Sequence, residues 1–196
     1  MGKSSRAIAA MAIALLCSGL TVSTPSVAGS EEPAARVGCT QNVNTWFKPV
    51  RASVAQIGTR IRVLAVSRHA DGEMGAPPLT DAGKRMFGWD KLGTPPGWHE
   101  GSVPIDAHTW PDGSALGNKL LRYLQVGDRY ILKGADGQKQ CYRINVRREY
   151  PRDQVPWQRF FRTTGPPQVA IVVCSGRRLG PGNWLKRTVW FGTPIR

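Results

Sequence analysis

Cysteine, histidine and arginine are the residues of this chain whose type and placement suit covalent chemistry. Cys174 ends the apolar run Val169-Ala-Ile-Val-Val-Cys and is followed by Ser175-Gly176. A strand that carries a cysteine to its C-terminal end, beside a glycine turn, presents a nucleophile on rigid scaffolding. A thiol ordinarily ionises only near pH ~8.5, so such a nucleophile needs a base or a cation beside it. Three histidines are available. His69 lies in the polar turn Ser67-Arg-His-Ala-Asp-Gly72, and His99 in the loop Gly97-Trp-His-Glu-Gly101. His108 follows the strand-like run Val103-Pro-Ile-Asp-Ala and is therefore placed much as Cys174 is. It is the expected partner, with a plain buried histidine as the alternative.

The remaining cysteines decide whether that thiol is free. The N-terminus reads as a targeting segment: Lys3 and Arg6 without an acid, an apolar stretch over 7–20, and the small-residue site Ser26-Val27-Ala28. Residues 1–28 are expected to be a signal peptide or a retained membrane anchor, residues 29–50 an exported lead, and residues 51–196 the folded domain. The exported part holds Cys39, Cys141 and Cys174, and an odd number outside the cell implies one disulfide and one free thiol. Joining Cys39 to Cys141 would close a loop of roughly 100 residues, for which chain entropy gives about 4–5 kcal/mol, and would leave Cys174 free. Pairing that consumed Cys174 would end the enzyme reading.

The elements that must position these residues are strands. The chain has 196 residues with 22 glycines and 15 prolines between many short apolar runs, a composition that favours strands and turns over a helical bundle. Strands are expected at 60–66, 103–106, 129–133, 140–148, 169–174 and 188–191, with a weaker one within 51–57. Asp136-Gly137 marks a hairpin. Single helical turns are expected at 118–124 and within 80–87. The sum is one all-β domain. Its net charge of +14 stays strongly positive without residues 1–28. No zinc-finger, basic-zipper or RNA-binding signature accompanies that charge, so nucleic acid is not the expected partner. An exported basic protein meets anionic wall polymers and lipid headgroups, and cations bunch at 143–152 and 177–187.

Several segments together carry a resemblance to one known family. Gly88-Trp89, Gly93-Thr-Pro-Pro-Gly97 and Gly101-Ser-Val-Pro-Ile-Asp-Ala-His108 are similar to the stretch leading to the sortase histidine. Leu124-Gln-Val-Gly-Asp-Arg-Tyr-Ile-Leu132 resembles the strand entry that follows it. Ile171-Val-Val-Cys174 resembles the strand of the sortase cysteine, and Lys186-Arg187-Thr-Val-Trp-Phe191 the strand of the sortase arginine. The order and intervals fit over roughly 60–192, and the short connections resemble the actinobacterial class F type. Two positions depart from the pattern: Val173 stands where the family usually has threonine, and Ala107 where it usually has glycine.

The resemblance implies a closed sortase-type β-barrel with short helical turns in its loops. It also implies a cysteine transpeptidase acting on secreted proteins that carry an LPxTG-like C-terminal signal. Cys174 would attack the Thr–Gly bond, and a thioacyl intermediate would pass to a peptidoglycan precursor amine. His108 would be the general acid and base, and Arg187 the donor to substrate backbone and oxyanion. Val173, Trp157 and Phe160 are expected to line the substrate groove. No cofactor is implied, and no metal, since an acidic cluster of the calcium-binding kind is not seen. If Val189 faces the barrel interior, Arg187 shares that face and emerges at the rim. Two other readings compete. An L,D-type transpeptidase would want a Ser-x-Gly-Cys turn that Ile171-Val-Val-Cys174 lacks. A non-catalytic, basic, disulfide-stapled wall-binding domain would have no reactive thiol.

Overall fold

The computed structural model describes Cys39, residues 45–70, Gly72 and residues 74–195; the targeting segment expected at 1–28 lies outside these residues. Eight strands close into a barrel: β1 (Arg51–Val54), β2 (Gly58–Val66), β3 (Phe87–Asp90), β4 (Ser102–Ala107), β5 (Arg129–Lys133), β6 (Lys139–Pro151), β7 (Gln168–Gly180) and β8 (Asn183–Ile195). Around the barrel they follow the order β1-β2-β3-β4-β7-β8-β6-β5, with β1 pairing β5 to close it. β2–β3 and β4–β7 are parallel, and the other neighbours are antiparallel. Closure leaves the sheet without a free edge. Among the described residues two α-helices lie in the connections, α1 (Leu116–Tyr123) after β4 and the single turn α2 (Trp157–Phe160) before β7, with 3-10 turns at Gly83–Arg85 and Arg152–Gln154.

Alternation along the strands builds two cores. The barrel interior collects Ala52, Phe87, Ile105, Leu132, Ile171 and Trp190, with contributions from every wall. Phe47 joins it from the segment before β1, where its N–H donates to the Pro96 carbonyl. The second core lies outside the barrel wall. There Ala170 and Val172 of β7 and Val189 and Phe191 of β8 are covered by Val155, Phe160 and Phe161 of the β6–β7 connection. Val189 thus faces outward while Trp190 faces inward, the reverse of the conditional expectation. Both faces of β7 and β8 are apolar because both are buried, so alternation alone could not say which was the interior.

β7 also runs further than its apolar stretch. Gly176, at φ 73°, forms a bulge where the register with β8 shifts between Ser175 and Arg178, and pairing continues to Gly180. The glycine bends the strand and does not stop it. β3, which the sequence reading did not assign, is four buried residues, too short for periodicity to reveal. Cys39 and Cys141 are joined with Cα atoms 5.8 Å apart, across 102 positions of sequence. The bond packs with Ile131 on the outer face of β5 and β6, and Cys174 is a free thiol.

Candidate active site

Three neighbouring strands bring His108, Cys174 and Arg187 together. The parallel pairing of β4 with β7 ends at Ala107 opposite Val173, so His108 and Cys174 are the next residues past that end. Across the antiparallel β7–β8 pair, Cys174 stands directly opposite Arg187. Cys174 shares its strand face with Val172, and Arg187 shares its face with Val189, so both project to the outer side of the wall. Ala107 and Val173 point the opposite way, into the barrel.

The backbone around the histidine is clamped by α1. The Gly117 N–H donates to the His108 carbonyl (2.7 Å), and Trp110 exchanges two hydrogen bonds with the Asn118 side chain (2.9 and 3.1 Å). Thr109 Oγ1 donates to the Cys174 carbonyl at 2.7 Å, tying the histidine segment to the nucleophile's own backbone. Gly117 must be glycine for this, because a Cβ there would lie 2.5 Å from the His108 carbonyl oxygen. The imidazole Nε2 lies 2.5 Å from the Pro77 carbonyl oxygen. A carbonyl only accepts, so Nε2 carries a proton and Nδ1 is left as the basic nitrogen of the neutral ring.

The thiol's ionisation is set by opposing influences. Burial pushes the Cys174 thiol up, the Arg187 guanidinium pulls it down, the Asp106 carboxylate pushes it up, and Arg152 pulls it down; the net direction is upward. Asp106 lies two residues before His108 on the same face of β4. Its Oδ1 is sealed from solvent without a hydrogen-bond partner, although the residue as a whole is partly exposed. Burial pushes its carboxyl up to about 8, against a smaller lowering by the Gly88 and Asp106 backbone N–H groups. At neutral pH Asp106 is therefore mostly protonated and adds little charge against a thiolate. Gly88 makes room for it, since a Cβ there would meet Asp106 Oδ1 at 2.0 Å.

Arg187 Nη1 donates to the carbonyls of Trp184 (3.2 Å) and Lys186 (3.0 Å), so the guanidinium rests on its own hairpin. Lys186 is occupied elsewhere, by Glu149 at 2.7 Å. The expected groove residues divide. Val173 is 2% exposed inside the barrel, on the face opposite Cys174, so it cannot contact a substrate at this rim. Phe160 is 0% exposed and fills the outer core. Both side chains are thus buried. Trp157, 38% exposed, remains at the surface and stacks on Phe161 with centroids 5.7 Å apart.

Sequence reasoning passed over Thr109, Asp106, Pro77 and Gly117. Asp106 carried a signal, an acid within the otherwise apolar 102–107 run. Pro77 carried none, because its role depends on a loop that crosses from β2. His69 sits in the β2–β3 connection, and His99 lies beside Trp98 and 3.8 Å from Glu100. Among the described residues, no three His, Cys, Asp or Glu side chains converge to hold a metal ion.

The sequence matches no protein-family profile and no curated protein. Solved structures are similar. A Streptococcus agalactiae sortase C1 in complex with MTSET shares 18% identity over 74% of this chain with a TM-score of 0.53, and the chain spans 66% of that protein's length. A Streptococcus suis sortase C1 shares 14% identity over 76% of this chain and 74% of its own, with a TM-score of 0.54. Listeria monocytogenes sortase A shares 15% identity over 76% and 88%, with a TM-score of 0.52. The closed eight-stranded barrel of this chain has the sortase fold.

Proposed function

We propose that the chain is a cysteine transpeptidase that cleaves an LPxTG-like sorting signal between threonine and glycine. It joins the secreted protein to a cell-wall amine outside the cytoplasm. The observation that carries this reading is the placement of His108, Cys174 and Arg187 on adjacent strands of one rim, with Cys174 free while Cys39 and Cys141 are joined. The Cys174 thiol gives its proton to the basic nitrogen of His108, the thiolate attacks the threonine carbonyl, and the C–N bond to glycine breaks as the imidazolium passes that proton to the leaving amine. The thioacyl enzyme is released by the incoming amine, whose proton returns to the imidazole. Arg187 turns from the carbonyls of Trp184 and Lys186 to the oxyanion; its planar, always charged donor fork suits that task. Trp157 offers an apolar wall for the signal's side chains. The short connections favour a class F type within the family.

A panel of fluorogenic LPxTG-like peptides tests this, with the protein beside its Cys174→Ala variant. Cleavage between threonine and glycine is expected, with transfer to a supplied amine, and none from the variant. Cleavage that survives in Cys174→Ala would overturn the reading. The absence of cleavage across the panel, with Cys174 unreactive to alkylation, would favour a non-catalytic wall-binding domain.

A further inference from the structure

At the other end of the barrel, cations stand side by side where a sheet ordinarily avoids them. Register places Arg62 of β2 opposite Arg51 of β1, Arg51 opposite Lys133 of β5, and Lys133 opposite Lys139 of β6. Directly paired residues share a face, so these four form one row across four strands. Arg60, two positions from Arg62, adds a fifth cation to the same face. Like charges in directly opposed positions destabilise a sheet. No acid among the described residues pairs with Arg51, Arg60, Arg62 or Lys133. Asp136, in the β5–β6 turn nearby, is engaged with Gln138.

The row borders a cleft of about 480 Å³ lined by Arg51, Thr59, Arg60, Lys133 and the backbone of Gly134 and Gly137. Strands lie about 4.8 Å apart, so four of them carry the row over roughly 14 Å, longer than one small anion. The lining has no aromatic ring on which a base could stack and, apart from Ala135, no apolar side chain to enter a bilayer. Guanidinium forks match phosphate oxygens in pairs. The site is remote from the candidate active rim. Lys139 opens β6 and Tyr150, the partner of Arg187, lies near its other end; at about 3.3 Å per residue that separation is on the order of 35 Å.

We propose that this cleft binds successive phosphates of a linear phosphodiester polymer lying across β2, β1 and β5 to the β5–β6 turn. The binding is independent of the transpeptidase reading. It would hold the enzyme against a phosphate-bearing wall polymer while leaving the opposite rim open to substrate.

The test uses the full chain and a fluorescent glycerol phosphate oligomer, titrated at several salt concentrations. Affinity is expected to fall steeply with salt. The Arg51→Gln, Lys133→Gln double variant should bind at least about tenfold more weakly, and its log–log salt slope should drop by about 1.5, given roughly 0.7–0.9 per cation removed. Arg177→Gln with Arg178→Gln makes the same change of net charge elsewhere and should alter binding less than about twofold. Relief of repulsion should raise the Tm of the Arg51, Lys133 variant and of Lys133→Gln alone, with peptide cleavage unchanged. Equal weakening by the two double variants would overturn the proposal, since net charge would then explain the binding. So would a lowered Tm in both cleft variants, or binding to phosphatidylglycerol vesicles without binding to the soluble oligomer.

Discussion

At the scale of single residues, the chemistry turns on how charge reaches a half-buried thiol. Burial outweighs the guanidinium opposite it, so Cys174 rests as a thiol at neutral pH. The rate of Cys174 alkylation should rise with a midpoint above the ordinary thiol range of about 8.5. Arg187→Gln should move that midpoint further up, because it removes the larger of the two lowering influences. A midpoint that fell on this substitution would show that Arg187 does not face the sulfur. Arg187→Lys keeps the charge and loses the paired donors. A lost oxyanion donor elsewhere costs roughly 100–1,000-fold, so at least about a tenfold loss of peptide cleavage is expected, with normal folding and alkylation. Arg178→Ala should do far less. Equal losses from the two would place the oxyanion donor elsewhere.

At the scale of elements, the decisive contact is α1 against the end of β4. The helix holds the His108 carbonyl through the Gly117 N–H, and the missing Cβ at Gly117 permits that approach. Alanine is the better helix former by about 1 kcal/mol, so an isolated helix would gain from Gly117→Ala. Here the added methyl meets backbone, and crowding of this kind costs roughly 1–3 kcal/mol. Gly117→Ala is expected to lower the Tm and to cut peptide cleavage by at least about tenfold, because His108 must move. Alkylation of Cys174 should keep its rate, since β7 is held by β8 on its other side. A variant with wild-type cleavage would show that the clamp does not position the imidazole.

At the scale of the whole molecule, Asp106 links ionisation to stability. Its carboxyl is raised by burial from 3.8 to about 8 in the folded chain. The folded state therefore holds this proton more tightly than the unfolded state between those values. The stabilisation is complete below about pH 4 and is lost as pH rises through 8. Denaturation followed from pH 4 to 9 should show wild type losing up to about 5 kcal/mol relative to Asp106→Asn, about 1.4 kcal/mol for each pH unit between the two values. A constant difference between the two proteins would mean that Asp106 is ionised throughout. The disulfide acts at the same scale: opening the Cys39–Cys141 bond frees a loop spanning 102 positions.

What the sequence by itself determined is local. The short apolar runs 103–106 and 169–174 marked strands, and their ends singled out His108 and Cys174 as reactive residues placed alike. The odd number of cysteines beyond residue 28 was visible as a matter of count. Partnership and facing were decided only by the tertiary structure. β4 meets β7 and β1 meets β5 across long stretches of chain, so neither the juxtaposition of His108 with Cys174 nor the row Arg62, Arg51, Lys133 and Lys139 exists before closure. Val173 was expected in the groove beside Cys174, and Phe160 because the resemblance puts its loop there, yet strand alternation sends one into the barrel and the β6–β7 connection buries the other. The physical reason is the same in each case: a strand's own residues set its two faces, and its neighbours decide which face is inside.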